Sequence, residues 1–240
     1  MATYKNSDLN TLLSYFYQWE SEKPDAVFMR QPYGNDWKSI TWAEAGAEAR
    51  RMAAALAGIG MLPGDHIGIV SKNCYHWVIA DLAIMMGGYV SVPFYPTLTA
   101  PQLEQVLQLS HCKALFVGKL DNWPAMREGV PAGIEIIRFP QYEGNSVVEE
   151  GWPWEGLLAA YETISGNPDR SLDDLWSILY TSGTTGVPKG VMLDFFAPAS
   201  LMENERRYDS LKLFSGSEHR FFSYLPLCHI AERVIVEGAA

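Results

Sequence analysis

Short apolar segments alternate with helix-forming segments along the first half of the chain, and this alternation constrains the fold more than any other feature of the sequence. Residues 67–70, 89–93 and 115–117 are apolar, β-prone segments typical of strands. Helix-start signals accompany them, namely a capping-box sequence at residues 41–44 and a second cap that includes Pro101. Strands that alternate with helices in this way predict an α/β fold with a parallel-rich β-sheet flanked by helices.

The rest of the chain shows weaker patterns of the same kind. Residues 119–133 and 140–156 are rich in glycine, proline, asparagine and glutamate, and we interpret them as surface excursions around an isolated strand at residues 134–137. Further helices are predicted over residues 9–20, 73–86, 157–163 and 197–213, and further strands over residues 27–29, 37–40, 175–180 and 220–225.

A dense cluster of hydroxyls, glycines and one lysine follows the predicted strand at residues 175–180. Gly183 and Gly186 allow positive backbone φ angles and a close approach of the backbone to a ligand, and successive N–H groups in such a turn can bind an anion. Lys189 adds a mobile positive charge that suits phosphate. The cluster predicts an ATP phosphate-binding loop whose residues are Thr181, Ser182, Gly183, Thr184, Thr185, Gly186 and Lys189.

The loop differs from a Walker A loop, in which Gly-Lys-[Ser/Thr] opens a helix. Pro188 precedes Lys189 here, and residues 190–193 continue as an apolar, β-prone segment. We therefore expect a strand, a loop and a second strand. The alternative on residue grounds is an ordinary surface loop that is rich in glycine and threonine.

Residues 180–190, Tyr-Thr-Ser-Gly-Thr-Thr-Gly-Val-Pro-Lys-Gly, resemble the signature phosphate loop of the adenylate-forming synthetases. That superfamily contains acyl-CoA synthetases, adenylation domains and firefly-type luciferases. Residues 225–233, Leu-Pro-Leu-Cys-His-Ile-Ala-Glu-Arg, resemble the long-chain fatty acyl-CoA synthetase branch, and residues 40–117 resemble the N-terminal part of acyl-CoA synthetases. The resemblance implies an incomplete form of that fold, with residues 1–168 as an N-terminal α/β subdomain and residues 169–240 as the start of the AMP-binding core.

The resemblance implies a two-step ligase that makes acyl-CoA from a fatty acid, ATP and coenzyme A. The carboxylate attacks the α-phosphate of ATP and releases pyrophosphate, and the thiol of coenzyme A then displaces AMP. It also implies that Lys189 and Thr184 are catalytic, that Thr184 is a ligand of Mg²⁺, and that His229 lines the acyl and adenylate pocket. On residue grounds alone, His229 is more typical of a packed structural histidine, and Glu232 and Arg233 are typical of an exposed pair.

One departure from the family pattern is Asp194-Phe195-Phe196, where family members often have Thr or Ser followed by His. It predicts an unusual pocket wall. The family's adenine-binding, ribose-binding and C-terminal lysine motifs have no match in the sequence, so we expect the N-terminal portion of a longer enzyme that is inactive by itself. The alternatives are another adenylate-forming enzyme, such as an adenylation domain or an aryl or medium-chain CoA ligase, and a non-catalytic nucleotide-binding fragment. A hydrolase or kinase of another family would show a Walker lysine or a carboxylate pair, and the sequence shows neither.

The formal net charge of −10 argues against nucleic acid as a partner, because a nucleic-acid-binding protein would carry a basic face. The polar N-terminus lacks a signal-peptide pattern, and the three cysteines form no zinc or redox pattern, so a cytoplasmic location is expected. Peripheral membrane contact and a homodimer stay open. The remaining histidines are predicted to be structural or exposed (His66, His76, His111, His219), and four glutamates are predicted to form a solvated loop in preference to a metal site (Glu143, Glu149, Glu150, Glu155).

Overall fold

The computed structural model describes residues 9–181, 187–209, 212 and 220–238, and its central element is a seven-stranded sheet. In chain order the elements are α1 (Leu12–Glu22), β1 (Val27–Tyr33), β2 (Asp36–Thr41), α2 (Trp42–Gly58), β3 (His66–Val70), α3 (Tyr75–Met86), β4 (Val90–Phe94), α4 (Ala100–Ser110), β5 (Ala114–Val117), α5 (Trp123–Arg127), β6 (Glu135–Arg138), β7 (Trp152–Pro153), α6 (Trp154–Ala160), β8 (Leu175–Thr181), β9 (Lys189–Asp194), α7 (Phe196–Tyr208) and α8 (Ile230–Gly238).

The strands of this sheet lie in the order β7-β6-β5-β3-β4-β8-β9, while β1 and β2 form a separate antiparallel hairpin. Each neighbouring pair from β7 to β8 is parallel, and β9 joins the edge of the sheet antiparallel to β8. Helices cover both faces, which buries the apolar strands between two layers. The predicted α/β class with a parallel-rich sheet is therefore confirmed.

Each helical layer has its own apolar core. On one face of the sheet, α1, α2, α3 and α6 contribute to a core that includes Leu13, Met52 and Phe116. On the other face, α4 and α5 pack against the sheet through Leu103 and Trp123. The alternation of strands and helices in the sequence thus results in a three-layer structure.

Helix α3 lies in the middle of the larger core and supports the rest of the molecule. Its 12 residues are apolar around most of the circumference, and every one of them is buried, as expected of a helix enclosed on all sides. It contacts α1, α2 and the strands β1, β3 and β4. Within the described ranges, no helix is both long and apolar enough to cross a lipid bilayer.

The two helix starts that the sequence predicts are present. Glu44 N donates to Thr41 Oγ1 at 3.2 Å, and Thr41 N donates to Glu44 Oε2 at 2.8 Å, which completes a capping box at α2. At α4, Thr99 N donates to Gln102 Oε1 at 2.9 Å. These side chains satisfy amide groups that lack a partner within the helix.

The strand predicted at residues 134–137 is present as β6 (Glu135–Arg138), but its predicted isolation is wrong, because β6 pairs in parallel with β5 on one side and with β7 on the other. The adjoining surface excursions are wrong in part, because Trp123 and Trp154 are buried. The indole of Trp123 donates to Glu150 Oε1 at 2.9 Å, and that of Trp154 donates to Glu48 Oε1 at 2.6 Å. Burial of these large rings outweighs the turn-forming composition of the residues around them.

The strand predicted over residues 220–225 is wrong as well, because these residues pair with none of the described strands. Asn73 Nδ2 instead donates to Ser223 Oγ at 2.8 Å and to the Leu225 carbonyl at 2.7 Å. A side-chain amide thus occupies a carbonyl that a strand would use for its ladder. The helix predicted over residues 197–213 is α7, which ends at Tyr208.

The carboxyl ends of β3, β4 and β8 meet at one edge of the sheet. Strand β3 ends at Val70, just before Asn73, and β8 ends at Thr181. The bonds of Asn73 bring the segment at residues 223–227 to the same edge. Ligands of open α/β sheets bind outside this edge, so the fold places the candidate site here. The division of the chain at residue 168 stays a prediction.

Candidate functional site

The β8–β9 hairpin frames the predicted phosphate loop. Its strands are antiparallel, and Thr181 lies opposite Lys189 as the last pair before the loop. Directly opposite residues share one face of a hairpin, and both of these residues are exposed. The two expected strands are therefore confirmed, and Lys189 begins a strand where a Walker lysine would lie at the start of a helix. Ser182, Gly183, Thr184, Thr185 and Gly186 lie outside the described residues.

Gly190 allows the two strands of the hairpin to pack closely together. A Cβ atom at this position would lie 2.9 Å from Ile178 Cγ2 and 3.2 Å from the Tyr180 ring on the opposite strand. The ring centroid of Tyr180 also lies 6.4 Å from that of Phe94 on β4. The absence of a side chain at Gly190 thus leaves room for an aromatic ring that links the hairpin to the parallel part of the sheet.

His229 lies in the turn that precedes α8. Its backbone N donates to the Pro226 carbonyl at 2.8 Å, and its Nδ1 accepts from Ala231 N at 3.3 Å. The second bond uses the Nδ1 lone pair, so the proton of the neutral ring lies on Nε2. The ring is exposed, whereas Leu227 and Cys228 are buried. An exposed ring beside a sheet edge can contact a ligand and can also cap a helix, so the geometry fits both interpretations of this histidine.

The prediction that Glu232 and Arg233 form an exposed pair is wrong, because both residues are buried. Arg233 Nη2 donates to both carboxylate oxygens of Asp81, at 2.8 and 2.6 Å, and Nη1 donates to Ser177 Oγ at 2.6 Å. The guanidinium also lies 4.1 Å from the centroid of the Trp176 ring. A buried cation is stable only with such compensation. The partner of Arg233, Asp81, is the one charged residue of the apolar helix α3.

This buried network joins elements from distant parts of the chain. Ser91 Oγ on β4 donates to Asp81, and Ser177 Oγ on β8 donates to the Ser91 carbonyl at 2.9 Å. Arg233 Nε lies 3.4 Å from Glu237 Oε2, one helical turn further along α8. Burial, reinforced by the charge of Asp81, raises the pKa of Glu237 well above its usual range. The carboxyl groups of Asp81 and Glu237 together therefore carry less than two negative charges beside the guanidinium of Arg233.

The residues that depart from the family pattern have structural partners. Asp194 Oδ1 accepts from Ala197 N at 3.1 Å at the start of α7. Phe195 is fully buried, and the Arg170 guanidinium lies 5.7 Å from the centroid of its ring. Asp194 thus caps a helix, and Phe195 is part of the core beside it.

Other predicted polar residues lie elsewhere. His76 is buried with its Nδ1 atom 2.6 Å from the Tyr142 hydroxyl, and His66 Nδ1 lies 2.6 Å from the Ser110 carbonyl. Glu150 forms an ion pair with Arg127 at 3.0 Å. In the described part of the chain, no group of three His, Cys, Asp or Glu residues could hold a metal ion.

An open cleft of about 460 Å³ lies between α2, α3 and α6. Lys38, Glu48 and His76 are among the residues that line it, and none of its lining residues comes from β8, β9 or the turn before α8. This cleft is therefore separate from the edge of the sheet that carries Thr181, Lys189 and the His229 turn.

Known proteins match the chain along most of its length. The curated relatives include the long-chain-fatty-acid–CoA ligase FadD15 of Mycobacterium bovis, which is 30% identical over 99% of this chain and 40% of its own length. They also include the peroxisomal long chain acyl-CoA synthetase 6 of Arabidopsis thaliana, which is 32% identical over 82% of this chain and 29% of its own length. The chain thus spans less than half the length of these relatives.

Solved structures share the fold at lower identity. The acetoacetyl-CoA synthetase of Streptomyces lividans superimposes with a TM-score of 0.78 at 22% identity, over 96% of this chain and 37% of that protein. The anthranilate CoA ligase AuaEII in complex with anthranoyl-AMP superimposes with a TM-score of 0.70 at 19% identity, over 83% of this chain and 38% of that one. The model of the AMP-binding enzyme family matches residues 16–240. The chain belongs to the AMP-binding enzyme family.

Proposed function

We propose that this chain forms the phosphate-binding part of an ATP-dependent, AMP-forming fatty acyl-CoA synthetase. The observation that carries the proposal is the pairing of exposed Thr181 with exposed Lys189, the residues that flank the hydroxyl-rich sequence at residues 182–186. Similarity to long-chain-fatty-acid–CoA ligases supports a fatty acid as the carboxylate substrate. The nearest alternative is that the chain is part of a different adenylate-forming enzyme, because such enzymes share the fold.

In the proposed first step, a fatty carboxylate oxygen attacks the α-phosphorus of ATP. A new C–O–P linkage forms, the bond between the α-phosphorus and its bridging oxygen breaks, and pyrophosphate leaves with that electron pair. Negative charge grows on the departing group, and preorganised donors with a cation stabilise it. Backbone N–H groups and hydroxyls of residues 181–186 bind the β- and γ-phosphates, and Lys189 neutralises part of their charge.

Mg²⁺ is the cofactor that the family implies. Hydroxyl oxygen is a ligand that this ion accepts, and Thr181, the last residue of β8, is an exposed hydroxyl residue, so the residue types fit the ion. Thr184 would hold it together with phosphate oxygens. When bound, the ion adds positive charge beside the phosphates. His229 lies beside the same edge, and we assign it to the wall of the acyl and adenylate pocket.

The test is fatty-acid-dependent exchange of labelled pyrophosphate into ATP. It uses the family-length protein, which we define as this chain together with the further segments that its relatives have. Removal of a charge-assisted contact worth roughly 1.5–3 kcal/mol predicts that Lys189→Ala slows exchange by about 10- to 150-fold. Thr184→Ala should also slow exchange. In both variants the KM for the fatty acid should change less than the exchange rate.

Lys113→Ala is the control, because Lys113 lies just before β5, away from the hairpin. Its exchange rate should equal that of the unmodified protein. Unaltered exchange in Lys189→Ala would contradict the phosphate-binding assignment. The 240-residue chain alone should make no acyl-CoA, because groups that act as a unit lose their effect together when some are missing.

A further inference from the structure

Asn73 binds a distant segment of the chain with its entire side-chain amide. Residue Cys74, and not Asn73, precedes α3 as its cap. Asn73 Nδ2 donates to Ser223 Oγ at 2.8 Å and to the Leu225 carbonyl at 2.7 Å, and Oδ1 accepts from Leu227 N at 2.9 Å. Both donor hydrogens and the acceptor of the amide are thus used across a sequence separation of about 150 residues.

A second anchor holds the other side of the same segment. Arg233 on α8 is bound by Asp81, which lies in the middle of α3. Between the two anchors lies His229, whose N–H donates to the Pro226 carbonyl at 2.8 Å and whose carbonyl accepts from Arg233 N at 3.1 Å. Helix α3 and the residue just before its cap therefore support both ends of the turn that carries His229.

The segment that leads into this turn lacks regular secondary structure, so its position depends on the bonds of Asn73. Residues 220–227 belong to no helix or strand, so they lack a ladder of backbone hydrogen bonds that would fix their position. Phe222 and Tyr224 are largely exposed and add little packing. Together with buried Leu227, the amide of Asn73 therefore supplies the order that secondary structure supplies elsewhere.

We propose that Asn73 is a positioning residue for the acyl and adenylate pocket. Its amide holds the backbone from Leu225 to Leu227 at the carboxyl edge of the sheet and thereby sets the position of His229. The effect of Asn73 on catalysis rests on the proposed function, whereas its effect on the position of His229 can be measured without catalysis. A small misplacement of a pocket wall has a large effect on a reaction that depends on alignment.

The structural part is tested with the 240-residue chain by following the imidazole proton signals of His229 by nuclear magnetic resonance. Asn73→Ala removes all three bonds and should shift these signals. Asn73→Asp keeps the acceptor for Leu227 N, loses both donors and places a carboxylate oxygen beside the Leu225 carbonyl, so it should also shift them. Asn145→Ala is the matched control, because Asn145 Nδ2 donates to Asp121 at 3.0 Å in another loop, and it should leave the signals in place.

The catalytic part is tested in the family-length protein by pyrophosphate exchange. We expect Asn73→Ala to lower kcat/KM for the fatty acid by about 10- to 100-fold while the KM for ATP changes less than twofold. A merely structural residue would lower the amount of active protein and leave both KM values unchanged. If Asn73→Ala fails to fold, Asn73→Asp decides the question.

Three negative results are possible, and the first has a different meaning from the other two. Absence of exchange in the unmodified family-length protein would overturn the proposed function. Normal exchange in that protein together with an unchanged fatty-acid kcat/KM in a folded Asn73 variant would overturn the positioning role alone. Unchanged His229 signals in both Asn73 variants would overturn it as well.

Discussion

The guanidinium of Arg233 is enclosed, and its charge is compensated by groups from other elements. Asp81 on α3 binds it through both carboxylate oxygens, and Ser177 on β8 accepts a further hydrogen bond. Removal of one partner from such a pair leaves the other as an uncompensated buried charge. Stability should therefore depend on the pair as a unit more than on either residue.

Arg233→Met should lower the free energy of unfolding by roughly 3–5 kcal/mol, because Asp81 would stay buried without its cation. The double variant Asp81→Leu with Arg233→Met should recover most of that loss, since both charges are gone. Urea denaturation followed by circular dichroism measures these values and that of the single variant Asp81→Leu. Losses in the double variant equal to the sum of the single losses would show that the two residues do not act as a pair.

Among individual residues, the sequence indicates the hairpin pair and misses the anchors. Thr181 and Lys189 are predictable because they belong to one local motif whose glycines and hydroxyls are contiguous. Asn73 and Arg233 are missed because their partners lie about 150 residues away along the chain. The available signal was Asp81, a lone carboxylate in an apolar helix, which requires a buried partner.

At the scale of elements, the β8–β9 hairpin is the most informative. It combines the end of a parallel sheet with an antiparallel return strand, so that Thr181 and Lys189 lie side by side at the edge of the sheet. Gly190 is the residue that permits this return, because the ring of Tyr180 and the side chain of Ile178 occupy the space of a Cβ atom.

Gly190→Ala should destabilise the protein by about 1–3 kcal/mol, the usual effect of excess volume in a packed site. Thermal unfolding monitored by circular dichroism should show a lower Tm. Val191→Ala, at the next and half-exposed position of β9, should change stability by less than about 0.5 kcal/mol. Equal Tm values for Gly190→Ala and the unmodified protein would show that the hairpin relaxes around the added methyl group.

Several elements were predictable because their signals are local. The capping box of α2 and the strands β3, β4 and β5 depend on contiguous patterns of capping and apolar residues. Helix α5 and the partners of β6 were not, because the burial of Trp123 and the pairing of a strand depend on tertiary neighbours. Composition indicated a surface loop there, and packing of large side chains decided otherwise.

For the whole molecule, buried His76 links stability to pH. Its ring lies against Trp154, with centroids 5.1 Å apart, and its Nδ1 is 2.6 Å from the Tyr142 hydroxyl. Burial, with a smaller contribution from the charge of Lys38, lowers the pKa of His76 to about 3. The unfolded chain keeps a pKa of about 6.5, so below that pH the unfolded state binds a proton that the folded state does not.

The free energy of unfolding should therefore fall by about 1.4 kcal/mol per pH unit from His76 alone as the pH drops from about 6.5 toward 3. Above pH 6.5 this contribution is fully present and constant. His76→Phe should remove this part of the slope in urea titrations at pH 4, 5, 6 and 7. His111→Asn is the control, because this exposed residue has a left-handed backbone that asparagine tolerates. An unchanged slope in His76→Phe would assign the acid sensitivity to other groups.

The long sequence separation within the Asp81–Arg233 pair has a consequence for synthesis on the ribosome. The two residues are 152 positions apart, so at roughly 5–20 residues per second the carboxylate is made about 8–30 s before its cation. For most of that interval β8, which lies beside β4 in the finished sheet, has not been synthesised either. A nascent chain of this sequence cannot close its larger core around an ionised Asp81, and final compaction has to wait for α8 to emerge.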